Sequence, residues 1–460
     1  MTKSTFIDRY LTRTAFAGVM LVVSVNGVQA ESLTDALVKA YTTNPTLLSS
    51  RATLRATDEG MSQALSGWRP TVSASGSTSS KRTETSTTRN TVTLNPRSLD
   101  LTLSQSLYAG GTTLAAMSLA KNSIEAQRAR LKTSEQAVLL AAATAYLNVF
   151  RDQSVVELNI QNEHVLTRHL EATQNRFDVG EITRTDVHQA EARLAGSNST
   201  RIQSEGTLES SRANYVNVVG EAPGKLEAIT LPLDLPKTLG EAIVTAEDSN
   251  PTVLAAVFDE KASQDSISSA RGSLLPSVDL SGSANRSLDT ISRNYWSNSL
   301  EAKVTLSVPL YQSGTVYSQV RQARETASAA RLTTLQAKRD ATEKVRTEWQ
   351  TLQATRARIE SIKTQVLAST TALEGVQREA NVGSRTVLDV LDAEQELLNA
   401  QVNLVTSQRD EAVAALTLLS ATGKLTAVDL NLTVDLYDAD RHYQNVRGQW
   451  FGGNVGGNSK

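Results

Sequence analysis

The sequence predicts a mixed α and β chain in which one structural unit is used twice, giving an elongated molecule rather than a set of separate globular domains. Three observations carry this: landmarks that return in one order at a nearly constant offset, paired segments with strand alternation, and long helical stretches with an apolar residue at every seventh position. Length alone would suggest two or three domains, since single cores rarely grow past ~250–300 residues.

The duplication is the strongest signal. "LTDALVKAYTTNPTLL" from Leu33 returns as "LGEAIVTAEDSNPTVL" from Leu239, so that Asn44-Pro45-Thr46 reappears as Asn250-Pro251-Thr252. "WRPTVSASGS" returns as "LLPSVDLSGS", "SLYAGGT" as "PLYQSGT", and "APGKL" as "ATGKL". Near the end of each unit "FDVGEITRTDVHQAEARL" and "ANVGSRTVLDVLDAEQEL" align Gly180, Asp186 and Glu191 with Gly383, Asp389 and Glu394. The order in each unit is helix, strand, strand, long helix, return helix. Its predicted boundaries are 1–30 for a leader, 31–226 for the first repeat, 227–238 for a linker, 239–425 for the second repeat and 426–460 for a tail.

The leader has Lys3, Arg9 and Arg13 ahead of a short apolar run, then Val28-Gln29-Ala30 as a small-residue cleavage site. That is the pattern of a secretory signal peptide, because the run is well under the ~20 residues a spanning helix needs. Export without a single cysteine leaves packing and assembly as the sources of stability. The formal net charge of −2 offers nothing to nucleic acid, and aromatics at 4% suit close-packed helices better than a conventional core.

Each repeat opens with a helix interrupted at Pro45 or Pro251, where proline and its preceding residue disfavour continuation. Strands follow. Leu300, Ala302, Val304, Leu306 and Val308 alternate with polar residues, and Leu99, Leu101 and Leu103 alternate with Asp100, Thr102 and Ser104. "KRTETSTTRNTVTLNP" and "NRSLDTISRNYW" are expected to be exposed loops joining the strands of each hairpin. From Thr112 to Asp178 there is neither proline nor glycine, enough for a helix on the order of 100 Å. Ile124, Leu131, Val138 and Ala145 form one heptad row of it, and Val345, Leu352, Ile359, Val366, Leu373 and Ala380 form another in the second repeat, which predicts left-handed coiled packing. Gly180 and Gly383 then turn the chain into return helices ending near Val219 and Ala421. A return helix is shorter than the outgoing one, and the helix ahead of the strands is long enough to stack on its end and make up the difference. Four short strands cannot close a membrane barrel, so several copies of the chain are needed: two would supply 8 strands and three would supply 12.

No chemistry is evident. Asp389 and Asp392 share a helix face, but no other residues supply the positions that acid–base catalysis requires. His164, His169, His188 and His442 form no ligand motif and are expected to be solvated, so no metal is required. "GEAPGK" has the wrong spacing for a phosphate loop, and the tail "FGGNVGGNSK" is expected to be a flexible end. Trp68, Tyr295 and Trp296, near strand ends, are candidates for anchors at a lipid interface.

The duplication, the Asn-Pro-Thr element, the hairpins ending in "LYAGG" and "LYQSG", and "VGSRTVLDVLDAEQELLNA" together resemble the TolC family of outer-membrane efflux and secretion ducts. The resemblance implies a homotrimer whose 12-stranded outer-membrane β-barrel is continued across the periplasm by a long coiled α-helical barrel. It implies the channel of a tripartite efflux pump or type I secretion system, with no enzymatic activity and no cofactor. Its partners would be outer-membrane lipid, a periplasmic adaptor (membrane fusion protein) and an inner-membrane transporter of RND, ABC or MFS type. Gly180 and Gly383 would mark the helix tips, Asp389 and Asp392 the cation-binding entrance rings, and Arg385 with Thr185 and Asp186 the gate latch. Ala380 stands where family members carry a tyrosine of a second latch, which implies a looser or differently held closed state. The alternative of a periplasmic adaptor or structural coiled-coil protein would lack strand hairpins with an outward apolar face.

Overall fold

The computed structural model of the protein describes residues 31–86, 90–227 and 235–453. The predicted leader, most of the predicted linker and residues 454–460 of the tail lie outside the described residues.

The first repeat runs α1 (Leu33–Thr43), α2 (Pro45–Leu65), a 3-10 turn (Ser66–Trp68), β1 (Thr71–Thr78), β2 (Lys81–Thr85), β3 (Asn90–Leu94), β4 (Arg97–Ala109), α3 (Thr112–Asp178) and α4 (Arg184–Val219). The second runs α5 (Leu239–Ser249), α6 (Pro251–Gly272), β5 (Ser277–Leu288), β6 (Trp296–Ser307), α7 (Thr315–Asn381) and α8 (Val387–Ala421), after which α9 (Ala439–Val446) closes the chain. The two long helices have 67 residues each, about 100 Å at helical rise.

Heptad rows bury as the spacing demands. In α7, Val345, Leu352, Ile359 and Leu373 are buried, and each fully buried Leu or Val contributes roughly 1.5–3 kcal/mol. The row of α3 continues past Ala145 through Asp152, Asn159, Leu166 and Thr173, all buried. Asp152 is tolerated there because its carboxylate accepts from Arg151 (2.8 Å) and from the Ser211 hydroxyl on α4 (2.6 Å).

The Asn-Pro-Thr elements weld helices end to end. Asn44 Oδ1 accepts from the Thr46 amide (2.9 Å), capping α2, while its Nδ2 donates to the Val218 carbonyl in the last turn of α4 (2.9 Å). Asn250 repeats this with the Thr252 amide and the Ala421 carbonyl of α8, both at 2.9 Å. One side chain thus satisfies an orphan donor of one helix and an orphan acceptor of another, so that α2 follows on from α4 and α6 from α8.

Strands β1, β4, β5 and β6 form one antiparallel sheet in that order, so the two repeats join through β4 and β5. The segment read as a polar loop from Lys81 is instead a second hairpin, β2 paired with β3 from Lys81↔Leu94 to Thr85↔Asn90. Thr83, Thr85, Thr91, Val92 and Thr93 favour a pleated backbone even where no face is buried. Likewise, β5 and β6 reach into "NRSLDTISRNYW" from both ends, taking 285–288 and 296 and leaving residues 289–295 as the connection. Polar residues on both faces hide alternation there, while the ladder and a Ser287–Ser297 hydroxyl bond (2.8 Å) continue.

Residues 426–453 run as a strap up the first repeat. The Ala427 amide donates to Glu135 on α3 (2.7 Å), the Tyr437 amide to the Tyr41 hydroxyl (3.1 Å), and the Arg51 guanidinium lies over both tyrosine rings. Helix α9 then lays His442 against Asp58, a fully buried carboxylate, at 3.1 Å. His442 is therefore not solvated, contrary to expectation; burial raises the Asp58 carboxyl above its usual range despite this contact. His188 is exposed as expected, and His169, partly buried, lies 3.5 Å from Glu394.

Candidate functional site

Two parts of the molecule present residues with no internal packing role: the glycine turns at one end and the sheet at the other. Gly180 and Gly383 adopt φ of +82° and +79°, conformations a side chain resists. After each turn the same box starts the return helix. Thr183 Oγ1 accepts from the Asp186 amide, and Asp186 Oδ2 accepts from the Thr183 amide (3.0 Å) and hydroxyl (2.7 Å). Thr386 and Asp389 repeat it at 2.9 and 2.8 Å. The aspartate that recurs at a constant offset is thus first a helix cap. Amide donation from Thr386, its hydroxyl and then the charge of Arg385 hold the Asp389 carboxyl below its usual range.

The turns differ in charge polarity. Arg176 on the outgoing helix pairs with Glu181 in the first turn (3.0 Å), whereas Glu379, at the position matching Arg176, pairs with Arg385 in the second (2.9 Å). Within one chain Arg385 is therefore engaged by Glu379, and Asp186 by its own cap. Thr185 is exposed beside it. Asp392 is held by Arg193 of α4, an ion pair that links the two return helices. Sequence reasoning passes over Glu379 and Arg193; the offset of the repeats points to the first, but nothing local marks the second. Ala380 is half-buried, and its carbonyl accepts from the Gly383 amide (3.1 Å).

At the far end the register sorts the sheet into two unlike faces. Val72, Leu103, Gly282 and Ala302 lie on one cross-strand row, and Ala74, Leu101, Ala284 and Leu300 on the next, with Leu280, Val304 and Leu306 on the same face. This face is apolar and open: Leu300 is 88% exposed and Val72 67%. Its reverse carries Ser73, Thr102, Ser283 and Glu301, and Asn285 bonds Asp100 across it. Trp296 extends the apolar face at its upper end, and Trp68 lies beside the foot of β1.

No helix among the described residues is long and apolar enough to cross a membrane, which says nothing of strands. Nor do the described residues hold a cluster of three or more potential metal-ligating His, Asp or Glu side chains. A sheet with one lipid-compatible face, mounted on helices long enough to cross a wide aqueous gap, defines a channel protein of the outer membrane. The family model described as outer membrane efflux protein matches residues 36–221 and 242–424. Outer membrane efflux protein BepC of Brucella suis is 34% identical over 433 residues, 94% of each chain. Outer membrane protein TolC of Vibrio cholerae is 28% identical over 431 residues, covering 90% of this chain and 96% of the relative. The crystal structure of the Campylobacter jejuni CmeC outer membrane channel superposes with a TM-score of 0.78 at 15% identity, over 90% of this chain and 89% of that one. The chain belongs to the outer membrane efflux protein family, as the resemblance to TolC implied, and its place is the outer membrane.

Proposed function

We propose that the protein is the passive exit duct of a tripartite efflux pump or type I secretion system, a homotrimer whose three sheets close a 12-stranded barrel. The observation that carries this is the sheet itself: apolar on one face, polar on the other, with β1 and β6 left as unpaired edges. Open edges do not persist in hydrocarbon, so β6 of one protomer pairs with β1 of the next. From Trp296 to Leu306 the strand spans about 33 Å, which at a tilt of roughly 40° gives a band near the ~25 Å of outer-membrane barrels. The adaptor alternative loses its support with the outer-membrane family assignment.

In the trimer the helix tips form the periplasmic entrance, where the adaptor docks and an RND, ABC or MFS transporter delivers cargo. Asp389 and Asp392 of three chains form stacked carboxylate rings that favour cations. The latch of Arg385 with Thr185 and Asp186 acts between neighbouring protomers, supported by the opposite charge polarity of the two turns. Ala380 leaves that latch without a second one.

Single-channel conductance in planar bilayers tests the proposal. The wild type shows a small cation-selective conductance blocked by a trivalent cation, and Asp389→Ala/Asp392→Ala abolishes the block. Arg385→Ser raises the conductance, and Arg193→Ala, by baring Asp392, sharpens cation selectivity. A folded, inserted protein with no conductance, or with a block indifferent to both aspartates, rules the duct or its entrance rings out.

A further inference from the structure

The C-terminal strap ends in a feature that the duct does not use. Above α9 the Gln449 carbonyl accepts from Arg69 Nη1 (2.6 Å), and the Arg69 guanidinium lies 5.1 Å from the centre of the Trp450 ring. Arg69 stands two residues ahead of β1, so Trp450 is fixed at the foot of the sheet. Yet the indole is 58% exposed and Phe451 beside it 91%. Two adjacent large aromatics held in the open on an anchored backbone are poorly placed for water.

Their surroundings favour one occupant. The apolar sheet face begins near this level with Tyr108, Val278 and Leu306, and Arg69 holds the strap's aromatics at the foot of that same sheet. From Arg441 to Gly453 the strap has two arginines and no carboxylate, and Arg69 adds a third cation. Aromatic rings backed by guanidinium groups match the layer where acyl chains meet anionic headgroups.

We propose that the strap is a membrane anchor, with Trp450 and Phe451 seated in the headgroup interface of the inner leaflet of the outer membrane and Arg69, Arg441 and Arg447 facing anionic phospholipid. The anchor rests on the insertion of the sheet proposed above. It ties the helical part of each protomer to the bilayer through α9 and α2, independently of the strands.

Tryptophan quenching tests both and separates them. The chain has four tryptophans, so Trp→Phe replacements give full-length variants that keep only Trp450 or only Trp296. Each is reconstituted into phosphatidylethanolamine and phosphatidylglycerol vesicles with bromine placed shallow or deep in the acyl chains. The anchor requires Trp450 emission to be lost most strongly to shallow bromine, and more strongly as the phosphatidylglycerol fraction rises. Quenching of Trp296 with no quenching of Trp450 overturns the anchor alone. If Trp450 is then also shielded from aqueous acrylamide, a second copy covers it instead. Quenching of neither overturns the insertion of the sheet and the anchor with it.

Discussion

The chain turns or is spliced at two kinds of glycine, and the surroundings of each explain its use. At the tip, Gly383 has φ of +79° with nothing within 4 Å of where a Cβ would stand. At the joint, Gly423 has φ of +82°, but a Cβ there would lie 2.4 Å from the Ser249 carbonyl oxygen. The tip is a turn held by its own cap and surface ion pairs, which are individually worth ~0–1 kcal/mol. The joint is locked between two helices by backbone approach and a shared asparagine. The gating proposed for the duct needs this inequality: tips that can part, on shafts that do not come apart.

Alanine at the two glycines breaks the comparison most sharply. Gly383→Ala meets only the left-handed backbone penalty, about 1–2 kcal/mol. Gly423→Ala adds a steric overlap with rigid backbone, about 1–3 kcal/mol more. Thermal unfolding of the detergent-solubilised protein should fall further for Gly423→Ala, and equal shifts would show that the joint is no tighter than the tip.

The asparagines come next. Asn250→Ala removes a helix cap and leaves the Ala421 carbonyl without its donor, about 2 kcal/mol together. Asn250→Ser keeps a cap acceptor for the Thr252 amide and loses the donor to Ala421 without setting a charge against that carbonyl, so its unfolding midpoint lies between alanine and wild type. At the tip Thr386→Ala removes half of one capping box, about 1 kcal/mol. An Asn250→Ser protein as unstable as Asn250→Ala would mean that the link to α8, not the cap on α6, dominates.

How much of this contrast can be read from the sequence depends on whether the interaction is local. The long helices, their heptad rows and the turn glycines follow from spacing within a segment, and α3 begins and ends at the predicted Thr112 and Asp178. Asn44 and Asn250 announce caps before prolines, but their second bond joins groups more than 170 residues apart, which no periodicity reveals. Asp152 and Asn159 break the apolar pattern while keeping its seven-residue phase, so the row looks interrupted where it is not. The strap escapes notice because its apolar contacts, Ala427, Leu430, Leu432 and Val434, are too few to set up a period, and the rest are made by tyrosines, charges and carbonyls. At the tip, the constant offset marks Asp389 and Gly383, while Arg193 becomes visible only when α4 and α8 lie side by side.

Acid separates the shaft from the tip by sign. Glu135, which holds the strap through the Ala427 amide, has its carboxyl raised by burial. A raised folded-state value means that stability is fully present below the unfolded value of about 4.3 and declines as pH climbs through the folded one. Glu135→Gln, which keeps the acceptor without the charge, should therefore raise the unfolding midpoint at pH 7 and change nothing at pH 4. A destabilised variant at pH 7 would mean that the charge itself holds the strap.

Asp389 shows the reverse sign and the smallest expected effect. Its carboxyl is held low, chiefly by the Thr386 amide, so its contribution is present above about 3.9 and is lost only as pH falls through the depressed folded value. Because the cap uses Oδ2, an ionised Asp389 leaves Oδ1 free for a cation in the proposed entrance ring. Trivalent block of the wild-type channel should consequently persist down to about pH 3.9, where an ordinary aspartate is half protonated. Thr386→Ala keeps the amide bond but loses the hydroxyl, so it moves the loss of block only part of the way toward neutral pH. A block that disappears at the same pH in both proteins would leave the hydroxyl a purely structural cap, and would place the cation on Asp392 once Arg193 has been drawn aside.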